Sequence, residues 1–482
     1  MVNNRPNILW ICTDQQRGDT VHALGNDYIH TPGLDRLCRE GTAFTRAFCQ
    51  SPICTPSRAS FLTGLYPSTV HGNINGNDHF TEGERFRLIT QRLAEAGYTC
   101  GVSGKLHIAS AWNGEENRTD DGYSEFHFSH SPTQTFDRGN QYIAWLEDCG
   151  KLDDVIDASR FNKEERRGVK YRDNVPAELH QTSWCADRAI DVIRKEHTGP
   201  WLMSVNIFDP HPPYDAPKEY AERYDPDQLP DPVCAESDIE HQHMLYSHLF
   251  QSPAEQPGRR HKEQLASYYA MIELVDENVG RMLDALEETG QREHTIVIFM
   301  SDHGNLIGDH GLSNKGCRFY EGLVNVPFII SWPGHIQQGS RVECLTELTD
   351  IAPTLAEYCG IDLEWTHGRS LVPLLSGEDP RFRPHEHVRC EFYDTLDSEA
   401  PFGNPDDHIP SYATMYRTER YKLNVYHGNE YGELYDLDED PGEIRNLWDA
   451  PDMQEIKHDL IRKSFDASIV ITDPGPKRIG RF

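Results

Sequence analysis

The stretch Ser51-Pro52-Ile53-Cys54-Thr55-Pro56-Ser57-Arg58-Ala59-Ser60-Phe61-Leu62-Thr63-Gly64 decides how this chain is read. Pro56 fixes the backbone as the chain turns into a helix, which sets Arg58 one turn on from Cys54. The start of that helix favours an anionic oxygen beside Cys54. Taken alone, a cysteine here reads as a small buried residue at a helix start; its flanks argue for chemistry instead.

Outward from this stretch, strands and helices alternate. Asn7 to Thr13 is a short apolar run ending in Asp14-Gln15-Gln16-Arg17, the pattern of a buried central strand whose carboxyl end carries function. Thr31-Pro32 opens a helix through Leu34, Leu37 and Cys38, closed by Gly41. Leu88 to Ala96 reads as a helix, and Tyr98 to Ser103 as a strand running into Gly104-Lys105-Leu106-His107. A helix over Thr182 to Lys195 precedes the strand Trp201 to Phe208, which ends in Asp209-Pro210-His211-Pro212-Pro213-Tyr214. A long amphipathic helix, Glu263 to Glu288, leads to the most strand-like segment, Thr295 to Met300, and then Ser301-Asp302-His303-Gly304. Val326 to Trp332 is a further strand and Asp350 to Cys359 a further helix. This alternation predicts an α/β fold built on a large mixed, mostly parallel sheet with helices on both faces.

Two stretches break the pattern, about 111–175 and about 215–257. They read as insertions at strand ends that shape a substrate pocket. The main domain is expected over 1–376. Beyond it, β-rich runs at Val388 to Tyr393, Tyr412 to Arg417 and Tyr421 to Tyr426 predict a smaller C-terminal subdomain, 377–482, with an antiparallel sheet and a helix near Met453 to Phe465.

Lys plus Arg number 46 and Asp plus Glu 78, a net charge of -32. That balance argues against nucleic acid and anionic membrane as partners, and an anionic substrate needs local positive charge to enter. No run approaches the ~20 apolar residues of a membrane span, and no signal-peptide pattern precedes Ile8. The 12 cysteines are scattered without paired spacings. They read as reduced thiols of a cytoplasmic protein.

Asp14 and Gln15 end one strand, and Asp302 and His303 end another; in a parallel sheet such ends lie at one edge, where ligands bind. Two carboxylates and an amide suit a hard cation such as Ca2+ or Mg2+, and His303 brings Mn2+ or Zn2+ into competition. The pair Asp309-His310 reads as a loop feature outside this set.

Cys-x-Pro-Ser-Arg at Cys54 to Arg58, followed by Leu62-Thr63-Gly64, resembles the motif of the type I sulfatases of the alkaline phosphatase superfamily. The resemblance implies that a formylglycine-generating maturation enzyme oxidises Cys54 to formylglycine (3-oxoalanine), a change no sequence displays. It implies one divalent cation, Ca2+ first with Mg2+ or Mn2+ as alternatives, held by Asp14, Gln15, Cys54, Asp302 and His303. Lys105 and His107 in Gly-Lys-Leu-His, His211 in His-Pro-Pro-Tyr and Lys315 in Asn-Lys-Gly-Cys-Arg-Phe-Tyr-Glu match sulfatase positions too.

The roles carried over are a formylglycine nucleophile aligned by the metal and Arg58, Lys105 on a sulfate oxygen, Lys315 and His211 on the leaving oxygen, and His107 as the base that releases sulfate. The implied substrate is a sulfated small molecule or saccharide; a homo-oligomer is compatible with the chain. Two departures stand out: many sulfatases have Asp-Asp where this chain has Asp14-Gln15, and Asp-Asn where it has Asp302-His303. The latter pairs also occur in phosphonate monoester hydrolases, which makes a phosphonate or phosphodiester hydrolase the rival reading. A sulfated-ligand binding protein with unconverted Cys54 is the non-enzyme rival.

Overall fold

Strand β1 (Asn7–Thr13) sits in the middle of the molecule because every residue of it but Asn7 is buried and the two sides of its pleat are equally apolar. Ile8, Trp10 and Cys12 enter one core and Leu9 and Ile11 another, so the strand needs cover on both faces. A computed structural model supplies that cover; it describes residues 5–76, 86–111, 116–118, 120–131, 139–159, 175–244, 254–363, 365–377, 384–393, 412–428 and 430–472. Parts of both sequence insertions lie outside these residues.

The further strands are β2 (Thr42–Phe44), β3 (Ala47–Phe48), β4 (Thr99–Gly104), β5 (Glu125–Phe128), β6 (Trp201–Ile207), β7 (Thr295–Ser301), β8 (Phe328–Ser331), β9 (Ser340–Val342) and β10 (Thr346–Glu347). The main sheet has the order β5-β4-β6-β1-β7-β8-β2-β9. Within it β5, β4, β6, β1 and β7 run parallel and β8 opposes its neighbours β7 and β2. The carboxyl ends of β4, β6, β1 and β7 therefore lie side by side. Helices Gln181–Arg194, Arg259–Glu288 and Pro32–Arg39 pack on the Leu9 face, and helices Cys54–Thr63 and Ile351–Cys359 on the Trp10 face. The mixed, mostly parallel sheet expected from the alternation is the one observed.

Predicted and observed elements differ where the pattern was shortest. The stretch read as a structureless insertion after 111 contains β5, which extends the sheet by one strand, and helices Gln141–Asp148 and Leu152–Ser159. In β5 only Phe128 is buried, so its sequence, Glu-Phe-His-Phe, lacks the apolar run that marks its neighbours. The second irregular stretch holds helices Lys218–Ala221 and Glu236–Met244. The long helix begins at Arg259, one turn earlier than its apolar stripe suggests, and the C-terminal one spans Gln454–Val470.

A separate antiparallel sheet has the order β11 (Val388–Tyr393), β12 (Tyr412–Arg417), β13 (Tyr421–Tyr426), β14 (Gly432–Asp436). It joins the larger part through buried polar bonds, among them Glu391 N–H to Gln50 O at 2.8 Å and Lys422 Nζ to Glu321 at 2.6 Å and to Phe319 O at 2.9 Å. The cysteines form no disulfide, and among the described residues no helix is long and apolar enough to cross a membrane.

Candidate active site

The Cys54–Thr63 helix starts after extended Ile53 and is buried along its whole length, an unusual setting for a segment that contains Ser57, Arg58 and Ser60. Three of its hydroxyls bond to carbonyls: Ser57 Oγ donates to Asp302 O at 2.5 Å, Ser60 Oγ to Leu65 O at 2.5 Å and Thr63 Oγ1 to Ala59 O at 2.7 Å. Gly64 ends the helix at φ 73°, where a Cβ would lie 2.5 Å from Thr366 Oγ1. The helix start is thereby fixed beneath the ends of β1 and β7, with Cys54 fully buried.

Around Cys54 Sγ converge Lys315 Nζ at 2.8 Å, His303 Nε2 at 3.3 Å, Asp14 Oδ1 at 3.6 Å and Lys105 Nζ at 3.6 Å. Arg58 Nε donates to Asp302 Oδ2 at 2.8 Å, Nη1 to Lys105 O at 2.6 Å, and Nη2 reaches Asp14 Oδ2 at 3.4 Å. Lys105 Nζ meets Asp14 Oδ2 at 2.5 Å. Arg58 and Lys105 are 1% and 2% exposed, so these ion pairs carry the cost of two buried cations and would be costly to break singly.

The donor set fits a divalent cation. One ligand atom from each of Asp14, Cys54, Asp302 and His303 lies within 4.8 Å of the others, all four residues being buried. Gln15, 1% exposed and at φ 71°, leaves both Oε1 and Nε2 without a partner, and its backbone is held by Asp302 Oδ1 on its N–H and by the Tyr268 hydroxyl on its carbonyl. An amide oxygen orphaned beside two carboxylates is a ligand for a hard cation. His303 Nδ1 donates to Gly304 O at 2.9 Å, which turns the Nε2 lone pair toward the same point. Burial and the neighbouring Asp14 push the Asp302 carboxyl up, with Arg58 and His303 opposing. Against burial, Lys105, His211, Lys315 and Arg58 hold Asp14 well below the usual carboxylate range. Against burial and Asp14, Lys105, Lys315 and His303 hold the Cys54 thiol well below its ordinary value.

The opposite wall is made of neutral imidazoles. His107 follows β4 at φ 53°, a left-handed conformation stabilised by buried Glu116, whose carboxyl accepts the N–H groups of His107, Ile108 and Ala109 at 2.7, 2.7 and 3.0 Å. Burial, then Lys105 and Arg58, hold its ring well below the usual imidazole range. His211 Nδ1 donates to Pro212 O at 2.6 Å, which leaves Nε2 as an acceptor. Burial and Lys315 bring its pKa to about 3.

All ten residues singled out in the sequence thus lie at the strand ends around Cys54 Sγ. Asp309 and His310 stand apart: Asp309 pairs with Arg17 at 2.7 Å, and His310 stacks on Tyr320 with ring centroids 3.6 Å apart. Sequence reasoning missed Glu116 and His130, both inside the stretch read as an insertion. It also gave no role to Asp209, which sits between the halves of the site, its carbonyl taking Asp14 N–H at 3.3 Å and its carboxyl taking the Thr182 hydroxyl at 2.6 Å.

Comparison with known proteins places the chain among similar sequences and folds. The family described as sulfatase matches residues 6–361, and that described as N-sulphoglucosamine sulphohydrolase, C-terminal, matches 308–468. An arylsulfatase of Clostridium perfringens is 30% identical over 474 residues, covering 95% of this chain and 93% of its own. An N-acetylglucosamine-6-O-sulfatase of Bacteroides thetaiotaomicron is 24% identical over 506 residues, covering 95% and 85%. The phosphonate monoester hydrolase of Agrobacterium radiobacter superposes with a TM-score of 0.81 at 26% identity, covering 97% of this chain and 96% of that one.

Proposed function

Because the chain belongs to the sulfatase family, we propose that it hydrolyses the sulfate monoester of a hydroxylated organic molecule, a sugar first, with Cys54 matured to formylglycine and Ca2+ held by Asp14, Gln15, Asp302 and His303. The observation that carries this reading is the convergence on Cys54 Sγ of Lys315 at 2.8 Å and Lys105 at 3.6 Å in a water-poor site already built for a cation. When present, the cation neutralises anionic oxygens and the modified residue 54 supplies an oxygen nucleophile in place of the thiol.

The chain's own groups divide the remaining work. Lys105 and Lys315 neutralise a tetrahedral anion from two sides, in a low-dielectric setting that strengthens each contact. Arg58 holds Asp14 and Asp302 in place, since each of its three guanidinium nitrogens bonds to one of those carboxylates or to Lys105 O. Lys315 is the proton source for the departing oxygen. Neutral His107, facing the same space, is the proton acceptor that returns residue 54 to its starting state. The sugar preference draws on the named activity of the Bacteroides relative.

A specific observation favours a second reading. The ligand set Asp14-Gln15 with Asp302-His303, together with the likeness to the Agrobacterium enzyme, suits phosphonate monoester hydrolysis. Lys105 and His107 weigh for sulfate. Relative kcat/KM for 4-nitrophenyl sulfate and for the 4-nitrophenyl ester of phenylphosphonate decides between them. A ratio favouring sulfate is expected, and a clear phosphonate preference overturns the choice.

A further inference from the structure

Residue 130 belongs to no part of the site as read so far, yet the sheet delivers it there. The β4–β5 pairing places Gly104 opposite Phe128 and continues with Ser129 N–H to Gly104 O at 3.0 Å, so the residues that follow each strand emerge side by side. After β4 these are Lys105 to His107; after β5 they are Ser129 to Ser131. Both neighbours of His130 are pinned: Gln181 Nε2 donates to Ser129 Oγ at 3.3 Å and Asn140 Nδ2 to Ser131 O at 3.1 Å. The imidazoles of His107 and His130 meet edge to face, centroids 4.4 Å apart at 82°.

Each ring leaves one nitrogen buried and without a hydrogen-bond partner, Nδ1 in His107 and Nε2 in His130. An orphaned buried polar atom of this kind is costly, and here two occur on touching rings. Both rings are kept neutral. For His130 the causes are burial, then His107 and Lys105, with Arg58 adding to them and Asp14 opposing; for His107 they are burial, Lys105, Arg58 and Lys315, with Asp14 opposing. A neutral imidazole has one donor and one acceptor, so the two unpartnered nitrogens on touching rings are complementary when one carries the proton and the other the lone pair.

We infer that His130 is a positioning residue for His107: its Nε2 accepts the Nδ1–H of His107, which fixes the tautomer whose Nε2 lone pair faces Cys54 and the substrate. This rests on the reading of His107 as proton acceptor. A base whose second nitrogen has no partner divides between two tautomers, only one of them competent, and turns more freely; a fixed partner removes both losses.

The test uses the mature, metal-loaded enzyme on whichever of the sulfate and phosphonate esters the wild type turns over. His130→Phe keeps a ring of similar shape and removes the acceptor; His130→Gln keeps an acceptor near the position of Nε2. His130→Phe is expected to lower kcat about 10–100-fold with KM unchanged, and to move the acid limb of the kcat profile to lower pH, because protonated His107 loses a stabilising partner. His130→Gln is expected to recover most of the loss, and in a His107→Ala background His130→Phe is expected to cost nothing further. Wild-type kcat in His130→Phe, an unmoved acid limb, or losses that simply add with His107→Ala overturn the inference. Should His107→Ala itself turn over normally, the role assigned to His107 fails instead, and the two failures are told apart. If His130→Phe lowers the melting temperature, the Phe-against-Gln contrast at matched temperature decides.

Discussion

The two sides of the site are built on opposite principles. Under the ends of β1 and β7, Asp14, Asp302 and Arg58, joined by Lys105 reaching across from the end of β4, are almost wholly buried and bonded to one another at 2.5–3.4 Å. On the β4/β5 side, His107 and His130 are neutral and short of partners, on backbone that includes a left-handed residue. The first side is a rigid charge lattice that sets where an anion and a cation can sit. The second is poised for proton movement, which requires groups whose hydrogen bonds are not yet complete. The difference teaches that satisfied charge and unsatisfied neutrality are both functional signals, but only the former leaves a dense motif in the sequence.

Four experiments bear on the contrast. The largest effect belongs to Arg58→Ala, which removes the counter-charge from two buried carboxylates. Turnover should vanish, and stability should fall by about 3–5 kcal/mol in urea unfolding; retention of either would show that the lattice is not what holds the site. Next comes the cation. Chelation should abolish activity and lower the melting temperature, and Ca2+ should restore both in a concentration-dependent way, whereas Asp302→Asn should lose the thermal response. A melting temperature indifferent to chelator and Ca2+ would mean that Asp14, Gln15, Asp302 and His303 hold no ion.

On the imidazole side, His107→Ala should lower kcat by about 10²–10⁴-fold while leaving the melting temperature near wild type. A stability loss of the size seen for Arg58→Ala would place His107 in the lattice. The last effect leaves turnover aside and concerns only the pH dependence of stability, at Asp209, where burial raises the carboxyl from 3.8 to about 7 despite the Thr182 hydroxyl. Because the folded pKa is the higher one, its contribution to stability is complete below about 3.8 and is lost as pH rises through about 7. Asp209→Asn should therefore flatten the stability profile across that window by up to ~1.4 kcal/mol per pH unit; unchanged slopes in urea midpoints at pH 5, 6, 7 and 8 would contradict the assignment.

What the sequence revealed follows the same divide. Asn7 to Thr13 and Thr295 to Ser301 announce themselves because a strand buried on both faces must be apolar throughout, and the carboxylates at their ends then stand out. Cys54 to Arg58 is legible because its chemistry is local. β5 was not legible: as an edge strand with one buried residue in four it has no apolar run, and with it went His130. Glu116 was hidden for another reason. It acts by accepting backbone N–H groups seven to nine residues earlier, a contact that leaves no periodicity. The left-handed backbone of Gln15 and His107 likewise belongs to the folded structure, since neither residue type announces it.

The central claim, that residue 54 is the working nucleophile in a cation-bearing sulfate site, is tested most directly by the mass of the tryptic peptide containing Cys54, measured on the same sample that is assayed for sulfate release from 4-nitrophenyl sulfate. The account predicts the mass of formylglycine in place of cysteine, with turnover that tracks the converted fraction and disappears in Cys54→Ala. Full turnover from protein whose Cys54 is an unmodified thiol, or turnover that survives Cys54→Ala, would contradict it.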